Sequence, residues 1–202
     1  MKHEDTLPRT DKTDLGSDER LRLPIHEALS FILVQPHYPE NVGACARAMK
    51  TMGFYQLRLV RPGRLASPGH DMAQKMAVRS WDVLDNALVA DSLTEALADV
   101  DFMVATTAKA GHSAILHPKQ VAQELVRRAA RGERLAVVFG NEKTGLSESD
   151  TAQAHALVRI PMAASQPSIN LAQAVQVLAY EIFTAALPQK PPATPAPGEA
   201  GE

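Results

Sequence analysis

Five short apolar runs, separated by stretches patterned as helices, most constrain what this chain can fold into. They are "FILVQ" (31–35), "LRLV" (57–60), "DFMVATT" (101–107), "LAVVF" (135–139) and "ALVRI" (156–160). Runs this short and nearly continuous in apolar residues describe strands buried on both faces. Helices must lie between them, and the arrangement that results is an α/β fold: a mostly parallel sheet with helices on both faces. In such sheets ligands sit beyond the carboxyl ends of the strands, so the loops that follow the strands are where function is sought.

The intervening segments carry their own punctuation. "PENVGACARAMKTMGF" reads as a helix with Asn41 near its start and Gly53 as its stop. A further helix is expected over about 69–80. "SLTE" (92–95) is a capping box, Pro118 suits a first helical turn, and Gly132 closes the helix after it. The last helix is expected over about 168–187, with Leu171, Val175, Leu178 and Ile182 on one face. The outer segments differ in composition. Residues 1–24 are polar and charged, and residues 188–202 ("PQKPPATPAPGEAGE") are rich in Pro, Ala and Gly. Both are expected to be disordered tails around a domain at 25–187.

Composition excludes several classes. The net charge of −2 announces no nucleic-acid partner globally, so any basic surface must be local, as at Arg58, Arg61 and Arg64 or at Arg127, Arg128, Arg131 and Arg134. The single cysteine, Cys45, excludes an internal disulfide framework and a cysteine-rich zinc site. His112 and His117, five apart in a loop, suit surface or capping roles better than ligation, and no metal site is expected. No signal-peptide pattern and no membrane-length apolar run occurs, so the expected compartment is the cytoplasm. The phosphate-binding and nucleophile-elbow glycine motifs are missing too.

Three loops at strand ends carry candidate chemistry. In "QPHYPENVGACAR", Val42, Cys45, Ala46 and Met49 share a helix face while Arg47 points away from it, as a solvated group or a phosphate-facing one. In "VVFGNEKTGLSESD", Gly140 follows a buried strand directly, where a missing side chain admits close backbone approach; Glu142 adds a carboxylate, and Ser147 is placed to cap a helix. In "RIPMAASQPSINLAQAVQVL", Ser168 and Asn170 are placed either to cap the last helix or to present its free N–H groups to a ligand.

Taken together, "NVGACARAMKTMGF", "FGNEKTGL" and "IPMAASQPSINLAQAVQVLAYE" resemble the three ordered motifs of the SpoU branch of the SPOUT RNA methyltransferases. The resemblance covers about residues 29–186, and "MKTMG" with "NLAQAVQVL" is nearest to the TrmJ-like tRNA 2′-O-methyltransferases. It implies a C-terminal deep trefoil knot that forms an S-adenosylmethionine pocket, and a homodimer with the active site near the interface. It also implies 2′-O-methylation of RNA, with tRNA favoured over rRNA and a non-catalytic RNA-binding paralogue as the alternative. The resemblance implies no metal and no membrane partner. Carried onto this chain, it places Thr106, Thr107, Gly140, Ile160, Pro167, Ser168 and Ile169 around the cofactor. It makes Arg47 the catalytic arginine and matches Asn41, Glu142, Ser168 and Asn170 to the other catalytic-motif polar residues. The chain departs from the TrmJ-like pattern in having Asn141 where that branch often has Arg, and in ending on a Pro-rich segment where the branch commonly has further helices.

Overall fold

The computed structural model describes residues 21–108, 115–164, 166 and 168–188. His112, Pro167 and nearly all of the two expected tails lie outside them. The elements run α1 (Pro24–Ala28), β1 (Leu29–Val34), α2 (Pro39–Thr51), β2 (Gln56–Val60), α3 (Asp71–Ala77), α4 (Trp81–Asp85) and β3 (Leu88–Ala90). They continue with α5 (Leu93–Ala96), β4 (Phe102–Thr106), β5 (Ile115–Leu116), α6 (Pro118–Ala129), β6 (Leu135–Phe139), α7 (Glu148–Thr151), β7 (Ala156–Val158) and α8 (Leu171–Ala186).

The strands form one sheet in the order β3-β2-β1-β6-β4-β7-β5, and every pairing is parallel. β1 and β6 occupy the centre and are buried along their whole length. Successive residues of these strands face opposite layers. Phe31, Leu33, Val137 and Phe139 join the larger core, which α1, α2, α3, α4, α6 and α8 cover. Ile32, Val34, Ala136 and Val138 face a smaller core closed by α5 and by Leu146, Ala154 and Leu157. Helices therefore cover both faces, as the unbroken apolar runs require.

Two short strands, β3 and β5, were not expected from the sequence; the helix expected over about 69–80 is α3, which ends at Ala77, and α4 follows from Trp81. Val78, a β-branched residue at φ 50°, turns the chain between α3 and α4. The expected helix faces are present. Val42, Cys45, Ala46 and Met49 of α2 are fully buried, as are Val175, Leu178 and Ile182 of α8, with Leu171 nearly so. Gly53 and Gly132 sit at φ 83° and 82°, where a side chain would be strained. Ser92 and Ser147 accept the N–H of the third residue of their helices.

One buried titratable group has a consequence for stability. His26 is 3% exposed, edge-on to Phe54 and stacked on Phe183. Its Nδ1 accepts the Leu23 N–H, so the imidazolium could form only by giving up that bond. Burial pushes its pKa below the ordinary 6.5. Above that pH both folded and unfolded chains hold a neutral ring, and stability is unaffected. As pH falls through 6.5 the unfolded chain takes up a proton that the folded chain refuses, so stability falls. Denaturant midpoints measured between pH 5 and 7.5 are expected to decline with acid more steeply in the wild type than in His26→Leu. Parallel pH profiles would show that this ring does not set the acid limit.

Candidate active site

The carboxyl ends of β4, β6 and β7 open onto a cavity of about 750 Å³, within the range of small-molecule sites. Five segments line it: Thr106 and Thr107 after β4, the loop from Gly140 to Leu146 after β6, Glu148, Thr151 and Ala152 at α7, Arg159, Ile160 and Met162 after β7, and Ser168 and Ile169 before α8. Of the residues expected around a cofactor, Thr106, Thr107, Gly140, Ile160, Ser168 and Ile169 all reach this space.

Gly140 owes its identity to the loop rather than to a ligand. A Cβ there would lie 2.2 Å from the Gly145 carbonyl carbon and 2.3 Å from the Leu146 nitrogen, both backbone atoms. The loop folds back on itself: Asn141 and Gly145 form an antiparallel bridge, and the Asn141 Oδ1 accepts the N–H groups of Lys143 and Thr144. Its Nδ2 donates to the carbonyl of Gln35, which is held at φ 50° at the end of β1. Substituting Gly140 therefore collapses the turn before it can report on a ligand.

The polar residues of the three loops are joined in one chain of hydrogen bonds. Asn170 caps α8, its Oδ1 accepting the N–H groups of Ala172 and Gln173. Its Nδ2 donates to the Asn41 Oδ1 at 3.0 Å, and the Asn41 Nδ2 donates to the Glu142 Oε1 at 2.9 Å. The Glu142 carboxylate also accepts the backbone N–H groups of His37 and Tyr38 at 2.9 and 3.3 Å. It thus places negative charge at the N-terminus of α2, where free N–H groups and the helix dipole favour it. Asn170 is a cap, as one of its two possible roles required, and also a link in this chain. Asn41 stands in the first turn of α2, and the N-cap itself is Tyr38.

Arg47 is exposed on α2 and does not line the cavity. Its guanidinium forms no hydrogen bond or ion pair with any described residue, and its neighbours Ala46 and Ala48 are buried. Cys45 is buried beneath the same helix, and loss of solvation pushes its thiol pKa far up, which makes it inert. Much of the basic density seen in the sequence is neutralised. Arg58 and Arg134 pair with Asp99, whose carboxyl the Arg58 hydrogen bond holds below the usual range. Arg127 and Arg128 pair with Glu124, and Arg128 also with Glu133. His117 caps α6, its N–H donating to Gln120. Arg159 escaped the sequence reading. It lines the cavity, and its Nε is buried without a hydrogen-bond acceptor. No spacing pattern marks it, because only the strand end that carries it brings it to the cavity.

A parallel α/β sheet with a nucleotide-sized cavity at its strand ends, closed by backbone turns and cross-linked polar loops, defines a ligand-binding protein whose chemistry is organised where those loops meet. The chain belongs to the SpoU rRNA Methylase family, whose model matches residues 28–180. It is 41% identical over 158 residues to an uncharacterised tRNA/rRNA methyltransferase, LasT, of Escherichia coli K12, covering 77% of this chain and 68% of that one. It is 38% identical over 173 residues to the tRNA (cytidine/uridine-2′-O-)-methyltransferase TrmJ of Cronobacter sakazakii, covering 85% and 69%. The fold matches the crystal structure of a probable methyltransferase from Bordetella pertussis Tohama I with a TM-score of 0.77 at 34% identity, covering 81% of this chain and 98% of that one.

Proposed function

We propose that the protein is an S-adenosylmethionine-dependent RNA ribose 2′-O-methyltransferase acting on tRNA in the cytoplasm; its TrmJ-named relatives are tRNA 2′-O-methyltransferases by name. The observation that carries the reading is the convergence of the three motif loops, tied by the Asn170–Asn41–Glu142 chain, at the rim of one cavity. Among the described residues no helix is long and apolar enough to cross a membrane. The methyltransferase unit is assigned to residues 25–187, with the family's trefoil knot running through the loops that line the cavity.

The residues present fit the cofactor. Ile160 and Ile169 offer apolar faces for the adenine, and Thr106, Thr107 and Ser168 offer polar groups for the ribose. The buried Nε of Arg159 lacks an acceptor, which the cofactor carboxylate would supply. When bound, the cofactor supplies a methyl group already activated on a sulfonium, so the protein mainly aligns the reactants. Arg47 is assigned to the RNA: its planar fork grips a phosphate beside the target ribose and stabilises the alkoxide developing at the 2′-oxygen. A guanidinium stays protonated in proteins and cannot serve as the base, so the proton leaves to phosphate or water. Because Arg47 stands outside the cavity of its own chain, the enzyme is taken to work as a homodimer, in which the second copy's Arg47 reaches the cofactor. Asn41, Glu142 and Asn170 position the loops.

Calorimetric titration with S-adenosylmethionine tests the pocket without relying on turnover. Binding is expected to the wild type. Arg159→Leu is expected to weaken it about tenfold or more, as loss of a charged hydrogen bond would. S-adenosylhomocysteine, which carries the same carboxylate, should weaken in parallel. Unchanged affinity for both would remove Arg159 from the site, and a wild type that binds neither would overturn the cofactor assignment.

A further inference from the structure

Tyr38 and Lys143 form an arrangement at the cavity rim to which binding the cofactor assigns no task. The Tyr38 ring is 42% exposed, yet its backbone is clamped, since its N–H donates to Glu142. His37 meets that ring edge-on, with centroids 4.7 Å apart and planes at 88°. The Lys143 Nζ lies 3.2 Å from the His37 Nε2 and 5.4 Å from the Tyr38 ring centroid. An ammonium only donates, so in this contact the His37 Nε2 accepts, and two further Lys143 donors remain for another partner. Lys143 also lines the cavity, so the cluster and the cavity share a wall. The other exposed large apolar side chains lack such a setting: Leu88 and Val89 lie on the edge strand β3, and Tyr180 lies on the outer face of α8.

A rigidly backed aromatic face with a cation beside it has the chemistry of a nucleotide site, the ring meeting a base and the ammonium a phosphate. We propose that Tyr38 and Lys143 dock the RNA nucleotide next to the ribose to be methylated: Tyr38 stacks on its base and Lys143 contacts its phosphate. The inference rests on the RNA-methyltransferase reading above. Stacking accepts any base, so this contact positions the strand without reading its sequence. His37 acts through the other two, buttressing the ring and orienting the ammonium.

Fluorescence anisotropy with end-labelled total tRNA, at several KCl concentrations, tests the docking site. Tyr38→Ala is expected to raise Kd about tenfold. Tyr38→Phe, which keeps the ring, should bind as the wild type does. Lys143→Gln should lower the slope of log Kd against log salt by about one, the mark of a lost phosphate contact. Calorimetry should show wild-type cofactor affinity in both Tyr38 variants, whereas a merely structural role, acting through Glu142, would weaken it. Wild-type Kd in Tyr38→Ala together with a wild-type salt slope in Lys143→Gln would overturn the docking site while leaving the enzyme reading intact. A wild-type protein that binds the cofactor but no tRNA would overturn both.

Discussion

Arg47→Ala is expected to slow single-turnover methylation by about 10²–10³-fold, the usual cost of losing a donor aimed at charge that develops in the transition state. The fold should survive. Arg47 is exposed and bonded to no described residue, so its removal should change stability by no more than about 0.5 kcal/mol. Arg47→Lys keeps the charge but loses the planar fork that can hold phosphate and hydroxyl together, and it should be poor as well. A solvated arginine with no role predicts near-normal rates in both variants. Saturating RNA and cofactor removes binding defects from the comparison. An Arg47→Ala rate above about a third of wild type, far short of the loss expected for such a donor, would dismiss the residue from the chemical step.

The second large effect is expected at Glu142. Its carboxylate accepts three hydrogen bonds, from the Asn41 side chain and from the N–H groups of His37 and Tyr38, and so joins the β6 loop to the start of α2. Glu142→Ala should cost about 2 kcal/mol in stability, from bonds to a charged acceptor, and should reduce methylation well below wild type because the loops lose register. Glu142→Gln keeps one acceptor oxygen but turns an NH₂ group toward a donor, so it should fall between wild type and Ala. A catalytic base would behave otherwise: Gln would be as inactive as Ala while stability held. Asn41→Ala offers a further check. Because Asn41 and Glu142 share one bond, the double variant should be less impaired than the sum of the singles; strict additivity in stability would contradict the linked chain.

What the sequence conveyed and what it withheld have physical reasons. The strands β1 and β6 were legible because burial on both faces leaves a continuous apolar run, and the inward face of α2 and the seam of α8 because one-sided burial forces a helical period. β3 and β5 were not: they are edge strands of three and two residues, and β3 leaves Leu88 and Val89 exposed, so neither carries a burial pattern. The α3–α4 break depends on Val78 at φ 50°, a conformation no propensity assigns to valine. Gly140 was singled out as a place where a ligand could approach the backbone, whereas the contacts that forbid a side chain there come from the loop's own backbone. The motif resemblance named Asn41, Glu142, Ser168 and Asn170 as a set, of which Asn41, Glu142 and Asn170 are joined directly. It could not show that they bond one another across 101 and 129 residues of chain, because that depends on tertiary placement. An aromatic share of 4% is too low for an extended stacking platform, yet one clamped tyrosine beside a lysine suffices for a single nucleotide. Global composition carries no information about such a local arrangement.

The central claim is methyl transfer to a ribose oxygen of RNA. The most direct test incubates the protein with unmodified tRNA transcripts and methyl-labelled S-adenosylmethionine, then digests the RNA to nucleosides and identifies them by mass spectrometry. The account predicts a protein-dependent 2′-O-methylated nucleoside with the label on the ribose, lost in Arg47→Ala. Label on a nucleobase, or none in any transcript despite cofactor binding, would contradict it.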